Sequence, residues 1–135
     1  MALKEYNFAE VALIIGGNQI MGFADGEAIT VERDEDDFKT YVGNDGETTR
    51  AKSNNRLGKI TFKLAQSSAS NAFLTGLLKA NSIVPTFVKD GSGSSIYASE
   101  QSYLLKPPNA AFAREVSERE YVLVCPDLQM AEGGN

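Results

Sequence analysis

Between residues 57 and 66 the chain reads Leu-Gly-Lys-Ile-Thr-Phe-Lys-Leu-Ala-Gln, so that Ile60, Phe62 and Leu64 alternate with Lys59, Thr61 and Lys63. Successive side chains of an extended chain point to opposite faces, and this period of two predicts a strand with one face in a core and one in water. Weaker forms of the pattern predict further strands at 9–15, 19–23, 28–33, 38–42, 84–89, 95–105 and 120–124, separated by Gly-Gly, Asp-Gly and Gly-Ser turn signals. So many short strands imply a mainly β fold, a β-sandwich or partial barrel. The glycine-rich run from Asp90 through Ser92, Gly93 and Ser94 to Ser95 lies between two of them and reads as a hairpin turn.

One segment changes period. Over residues 69–81, Phe73, Leu74, Leu77 and Leu78 fall on one face at helical spacing, with Ser68 or Ser70 available as the N-cap. Gly76 inside this segment costs roughly 1 kcal/mol relative to alanine, so packing must hold the helix. Phe73 and Leu77 are its expected core contacts, and the helix flanks the sandwich.

The opposite extreme is 44–56. It contains Asn44-Asp45-Gly46 and then Thr48-Thr49-Arg50-Ala51-Lys52-Ser53-Asn54-Asn55-Arg56, with Ala51 its only aliphatic side chain. Such a stretch cannot bury itself in its own core, and it reads as an extended polar loop on the single domain expected of 135 residues. In a self-assembling protein its amides and hydroxyls would order on a neighbouring subunit.

Charge sharpens this picture. Residues 1–50 carry eleven acids and four bases, a net of −7; residues 51–90 have a net of +5 and residues 91–135 of −3. The acids crowd between 25 and 47, including Asp34, Asp36 and Asp37, and Arg56, Lys59 and Lys63 follow soon after. If these two surfaces lie at different ends of the domain, one copy's acidic end meets the next copy's basic end, a head-to-tail contact that builds rings or open stacks. The plainer alternative is local pairing of the two segments within one hairpin.

Composition removes most chemistry. There is no histidine, hence no Ser-His-Asp or Cys-His arrangement and none of the commonest zinc ligand. Cys125, the single cysteine, allows no intramolecular disulfide and reads as a buried, inert thiol. An EF-hand counted from Asp34 would need glycine sixth and glutamate twelfth, where Lys39 and Asp45 stand. No pair of carboxylates is singled out for glycosidase chemistry, there is no tryptophan to stack a sugar, and the Gly-Ser run lacks the Gly-Lys-Ser/Thr ending of a phosphate loop. The expectation is no enzyme, no cofactor and no metal. A net charge of −5 argues against gripping nucleic acid through its phosphates. No apolar run has the roughly 20 residues of a bilayer span, and the start Met1-Ala2-Leu3-Lys4-Glu5 has no basic segment before an apolar one, so folding in a cytoplasm without membrane contact is expected.

The order of several short pieces resembles the tail tube subunits of contractile-tailed bacteriophages, a family of small phage structural proteins. The resemblance runs over nearly the whole chain and is carried by Gly22-Phe23-Ala24-Asp25-Gly26-Glu27, by Val42-Gly43-Asn44-Asp45-Gly46-Glu47 leading to Arg50 and Asn54-Asn55-Arg56, by Ser68-Ala69-Ser70-Asn71, by Lys106-Pro107-Pro108 and by Ala131-Glu132-Gly133-Gly134-Asn135. It implies six copies in a ring and rings stacked into a hollow tube in the virion tail, assembled in the host bacterial cytoplasm. It further implies sheath, baseplate and tail terminator partners, and DNA that passes through the lumen without specific binding. Under it, residues 44–56 reach the neighbouring ring and the helix lies outside. Bacterial type VI secretion tubes and phage-like bacteriocins share that architecture.

An acidic lining would repel DNA and let it slide; Glu27, Glu32, Glu100, Glu118 and Glu120 are the lumen candidates because they lie in or beside predicted strands. Two other classes stay open on sequence: a monomeric β-sandwich that binds a glycan or partner protein, and a small hydrolase using two carboxylates.

Overall fold

The computed structural model describes residues 7–26, 28–91, 95–112 and 114–132. After a single 3₁₀ turn at Phe8–Glu10, the strands in chain order are β1 (Val11–Ile15), β2 (Asn18–Gln19), β3 (Ile29–Arg33), β4 (Phe38–Val42), β5 (Thr48–Lys52) and β6 (Gly58–Ala65). The helix α1 (Ser70–Ala80) follows, and then β7 (Val84–Asp90), β8 (Ser95–Leu104), β9 (Glu118–Cys125) and β10 (Gln129–Ala131).

All pairings are antiparallel. One sheet runs β2-β1-β7-β8-β9-β6-β3, with β10 on the free side of β8, while β4 and β5 form a separate two-stranded ribbon. The long strand β8 makes this sheet a sandwich. Residues from Ser95 to Ser102 pair with β7, Ile96 to Ala98 also pair with β10, and Tyr103 and Leu104 pair with β9. One layer is thus β2-β1-β7-β8-β10 and the other β8-β9-β6-β3. The crossing is marked by a bulge opposite Val84 and Thr86, where an extra residue bends the strand. The buried Ser102 hydroxyl donates to the Val84 carbonyl and accepts from Thr86 Oγ1 at 2.6 Å, so no hydroxyl at the bend is left without a partner.

The core lies between the layers. Leu13, Ile15 and Val88 enter from one side, Ile60, Phe62, Leu64, Tyr121, Leu123 and Cys125 from the other, and Leu74 of α1 and Leu128 close it. The β6 alternation appears as expected, with Gly58, Ile60, Phe62 and Leu64 buried and the residues between them half-exposed. Phe62 stacks on Tyr121 across the β6–β9 pair, centroids 5.3 Å apart. Glycine is required at 58 because a Cβ there would overlap the Leu128 side chain and the Glu32 carbonyl.

The helix is held chiefly by polar anchors. Tyr121 Oη donates to Asn71 Oδ1 at 2.8 Å, and Asn71 Nδ2 donates to the carbonyls of Ala65 and Gln66 at 3.1 Å each. Asn71 and Leu74 are its buried residues; Phe73 and Leu77, expected in the core, are half-buried against it. Ala69 occupies the cap position without a side-chain bond, while Ser68 Oγ accepts from the Ser70 N–H. Ser70 Oγ in turn accepts from the Met21 N–H, so both serines also tie the helix to the segment after β2.

Differences from the expected elements are local. The strand expected at 9–15 gives its first two residues to the 3₁₀ turn, and the one at 19–23 shrinks to β2 with a single bridge from Phe23 to Leu64. The segment 44–56 is a loop only at its ends, since Thr48–Lys52 pair with Phe38–Val42 as β5. The three-residue β10 was not expected. The turn at Ser92–Ser94 and the candidate Glu27 lie outside the described residues, although Asp90 and Ser95 on either side of that turn are paired.

Two measurements check these contacts. Tyr121→Phe strips a buried acceptor of its donor and should lower stability by about 1–3 kcal/mol in denaturant titration. Gly76→Ala should raise it by roughly 0.5–1 kcal/mol, because a Cβ at Gly76 meets nothing within 4 Å and its backbone is helical.

Cys125 generates a third. Burial pushes its thiol up from 9.0 to about 11, outweighing a hydrogen bond from Ser99 that acts downward. A folded pKa above the unfolded one means that the folded chain holds the proton more tightly, so this stability is complete below pH 9.0 and is lost as pH rises towards about 11. The loss is on the order of 2 kcal/mol, and urea midpoints across that window should fall less for Cys125→Ala. Desolvation of the Tyr121 hydroxyl acts in the same direction and persists in that variant.

Candidate functional site

Two surfaces carry the residues that sequence reasoning selected. The first is the β4–β5 ribbon, called the arm below. Every residue of both strands is exposed, and five residues per strand give it a reach of roughly 17 Å. Its register is fixed end to end, from Phe38 opposite Lys52 to Val42 opposite Thr48. The tip closes through Gly43 N–H to the Glu47 carbonyl at 2.7 Å, Gly46 N–H to the Gly43 carbonyl, and Glu47 N–H to Asp45 Oδ1. Gly46 has φ +85°, a left-handed conformation that suits glycine. Midway, the Arg50 guanidinium lies 4.1 Å over the Phe38 ring, a cation–π contact that holds two otherwise exposed side chains.

At its root the arm is tied to the sandwich. Ser53 N–H donates to the Asp37 carbonyl and Asp34 N–H to the Leu57 carbonyl, while Ser53 Oγ and Asn55 Oδ1 accept from the N–H groups of Asn55 and Leu57. Arg33 Nη2 donates to the Leu128 carbonyl at 2.6 Å, and Leu128 N–H to the Arg56 carbonyl. The root is fixed, and the distal part packs only against its own partner strand.

Asn44, Asp45 and Gly46 therefore form the tip, Thr48, Thr49, Arg50 and Lys52 the returning strand, and Asn54, Asn55 and Arg56 the root on that side. Asp36 and Asp37 flank the root on the other. Lys59 and Lys63 belong to the sandwich and not to the arm. Of the two arrangements that the charge pattern allows, local pairing is met at two places among the described residues. The antiparallel β3–β6 register sets Glu32 opposite Lys59, Lys59 Nζ lies 4.0 Å from Asp34, and Lys63 Nζ lies 3.9 Å from Glu120. Both pairs are substantially exposed and contribute little stability.

The second surface is the outer face of β3-β6-β9. Since Ile60, Phe62 and Leu64 point inward, Lys59, Thr61 and Lys63 point outward, and the register places Glu120 beside Lys63, Glu118 beside Ala65 and Glu32 beside Lys59. Three of the lumen candidates thus share one polar face, partly neutralised by two lysines. Glu100 is exposed on the half of β8 that pairs with β7, in the other layer. The structure does not bring it to the same face.

Sequence reasoning did not single out Tyr41 and Val42 as surface residues; they are 58% and 69% exposed near the arm tip, and the sequence carries no signal for that.

An antiparallel sandwich with one flanking helix, a tied but projecting arm and an outer sheet face whose charged residues and threonines surround Val122 and Val124 is the frame of a structural, tail-tube type subunit. The comparisons agree. The family model described as bacteriophage PhiTE tail tube protein matches residues 4–133. A structural protein, ORF10, of Pseudomonas phage KPP10 is 32% identical over 123 residues, which cover 86% of this chain and 71% of that one. The chain belongs to the PhiTE tail tube protein family, and is thereby a structural protein of a phage tail.

Solved structures share the fold at low identity. The sheath/tube terminator of an extracellular contractile injection system, PVC, in its extended state aligns with a TM-score of 0.63 at 10% identity, covering 97% of this chain and 99% of that one. The tube-terminating cap of the anti-feeding prophage gives 0.62 at 9% identity, covering 98% and 95%. The PVC sheath-tube complex gives 0.57 at 10% identity, covering 95% and 92%.

The geometry of the arm predicts independence from the core. Replacing residues 40–50 by Asn-Gly, so that the paired Lys39 and Ala51 are joined by a two-residue turn, should leave the thermal midpoint within about 2 °C of the parent, because no core side chain is removed. Circular dichroism melting checks this.

Proposed function

We propose that this chain is the repeating subunit of a phage tail tube, that six copies close into a ring, and that rings stack head to tail into a hollow conduit for DNA. The observation that carries this reading is the arm: a regular, register-locked ribbon with apolar side chains at its distal end and nothing among the described residues to cover them. Such a ribbon is stable in isolation only marginally, and a contact with the next copy supplies what it lacks. Because arm and receptor are different surfaces, the contact is heterologous and propagates.

The outer face of β3-β6-β9 is the proposed channel lining. Glu32, Glu118 and Glu120 exceed Lys59 and Lys63 by one charge, so the lining is weakly acidic and not strongly repulsive as the net charge of the whole chain suggested. Threonines and paired ions on a sheet offer phosphates no cluster of unpaired cations, which suits a strand of DNA that must slide. The related folds belong to a sheath/tube terminator and a sheath-tube complex, which supports a sheath outside the tube and a terminator at its end as further partners. The role is mechanical, with no catalysis assigned to any residue.

Negative-stain electron microscopy of the purified chain, alone and with tail extract as nucleator, is expected to show rings or tubes for the parent and only dispersed particles for the arm-shortened variant. Tubes of normal length from that variant would remove the arm from the mechanism. A parent that stays dispersed with the nucleator would overturn the tube reading.

A further inference from the structure

A groove of about 620 Å³ opens between the C-terminal end of α1 and the end of β8. Its floor and walls include Leu78, Ile83, Tyr103 and Leu105, and its rim carries Lys79 and Lys106. Ile83 and Leu105 are 67% and 53% exposed, too much apolar surface at one place for an idle face. Among the described residues the only charges lining the groove are the two lysines, and neither takes part in the ion pairs found there.

The distal arm is its complement. From Tyr41 to Thr49 it presents Tyr41 and Val42 as exposed apolar side chains and Asp45 and Glu47 as its charges, with no base. We infer that the groove is the receptor for the arm of a second copy, with Tyr41 and Val42 seated against Ile83 and Leu105 and with Asp45 and Glu47 facing Lys79 and Lys106. An apolar centre inside a ring of opposite charges is the usual anatomy of a specific contact. The assignment rests on the stacking reading above and gives it an address. The volume suits an inserted tip rather than a flat apposition.

The most exposed apolar pair elsewhere among the described residues, Phe112 and Val116 between β8 and β9, is the competing occupant, 77% and 69% exposed. Its neighbours Arg114 and Glu115 bring both signs to the lysine rim, where the arm tip brings only the complementary one.

Cys125 is fully buried, so engineered surface cysteines can be cross-linked against a silent background. Val42→Cys and Ile83→Cys chains, mixed in equal amounts, polymerised and treated with a short bismaleimide, should give a dimer band that neither chain gives alone. A Phe112→Cys chain mixed with Ile83→Cys should give none. In parallel, Lys79→Glu/Lys106→Glu and Asp45→Lys/Glu47→Lys should each raise the concentration needed for tube formation about tenfold or more, and a chain carrying all four substitutions should recover most of the loss. Tubes that form without the 42–83 cross-link, a cross-link from position 112 in its place, or a fourfold variant no better than its parents would overturn this assignment and leave the tube reading intact. Absence of tubes from the parent under every condition would overturn both.

Discussion

The structure depends on how completely the sandwich absorbs its own apolar side chains. The inward faces of β1, β6, β7 and β9 meet in one core with Leu74 and Leu128, and Phe62, Leu13, Ile60 and Leu123 have no measurable exposure. Among the described residues nothing covers the ribbon into which β3 runs, and both of its strands are exposed throughout. A two-stranded ribbon without a covering layer loses most of the free energy that makes sheets stable, yet this one is fixed at its root by Arg33, Asp34, Ser53 and Leu57. A rigid root beneath an uncovered tip favours capture by a neighbour, since less conformational entropy remains to be lost on contact.

The same antiparallel order explains the electrostatics. Although β4 and β5 intervene in sequence, β3 pairs with β6, which sets Glu32 beside Lys59, and the fold brings Lys59 to Asp34 and Lys63 to Glu120. Charge that looks segregated along the chain is thereby mixed on the surface. What remains segregated is smaller and more local: two acids at the arm tip and two lysines at the groove rim, far apart in sequence and assembled only by the fold.

Sequence reasoning reached the sandwich because β6, β7 and β8 bury one face each, and one-sided burial writes a period of two into the residues. It failed at β5 because Thr48-Thr49-Arg50-Ala51-Lys52 buries neither face, and a strand with water on both sides has no periodicity to read. The strand at 38–42 was legible, but not the exposure of Phe38, Tyr41 and Val42, because apolar side chains read the same in sequence whether or not the fold covers them. The outer face of β3-β6-β9 was legible as the complement of the β6 alternation. The groove was not, because Ile83 and Leu105 stand more than twenty residues apart and meet only when α1 and the end of β8 lie side by side.

Under the proposed arm–groove contact, whose two surfaces differ, a free subunit would not assemble before it is needed. A single arm tip in a single groove buries two large apolar side chains, far short of the roughly 1,200 Å² typical of stable pairs. Two free copies therefore hold each other weakly. Once a ring presents several grooves at fixed spacing, each arriving subunit meets its ring neighbours as well as the ring below, and the later contacts form at a high effective concentration. Growth from a preformed ring is then favoured where initiation between free copies is not. The exposed arm, a liability in a solitary molecule, becomes the means of confining polymerisation to one end.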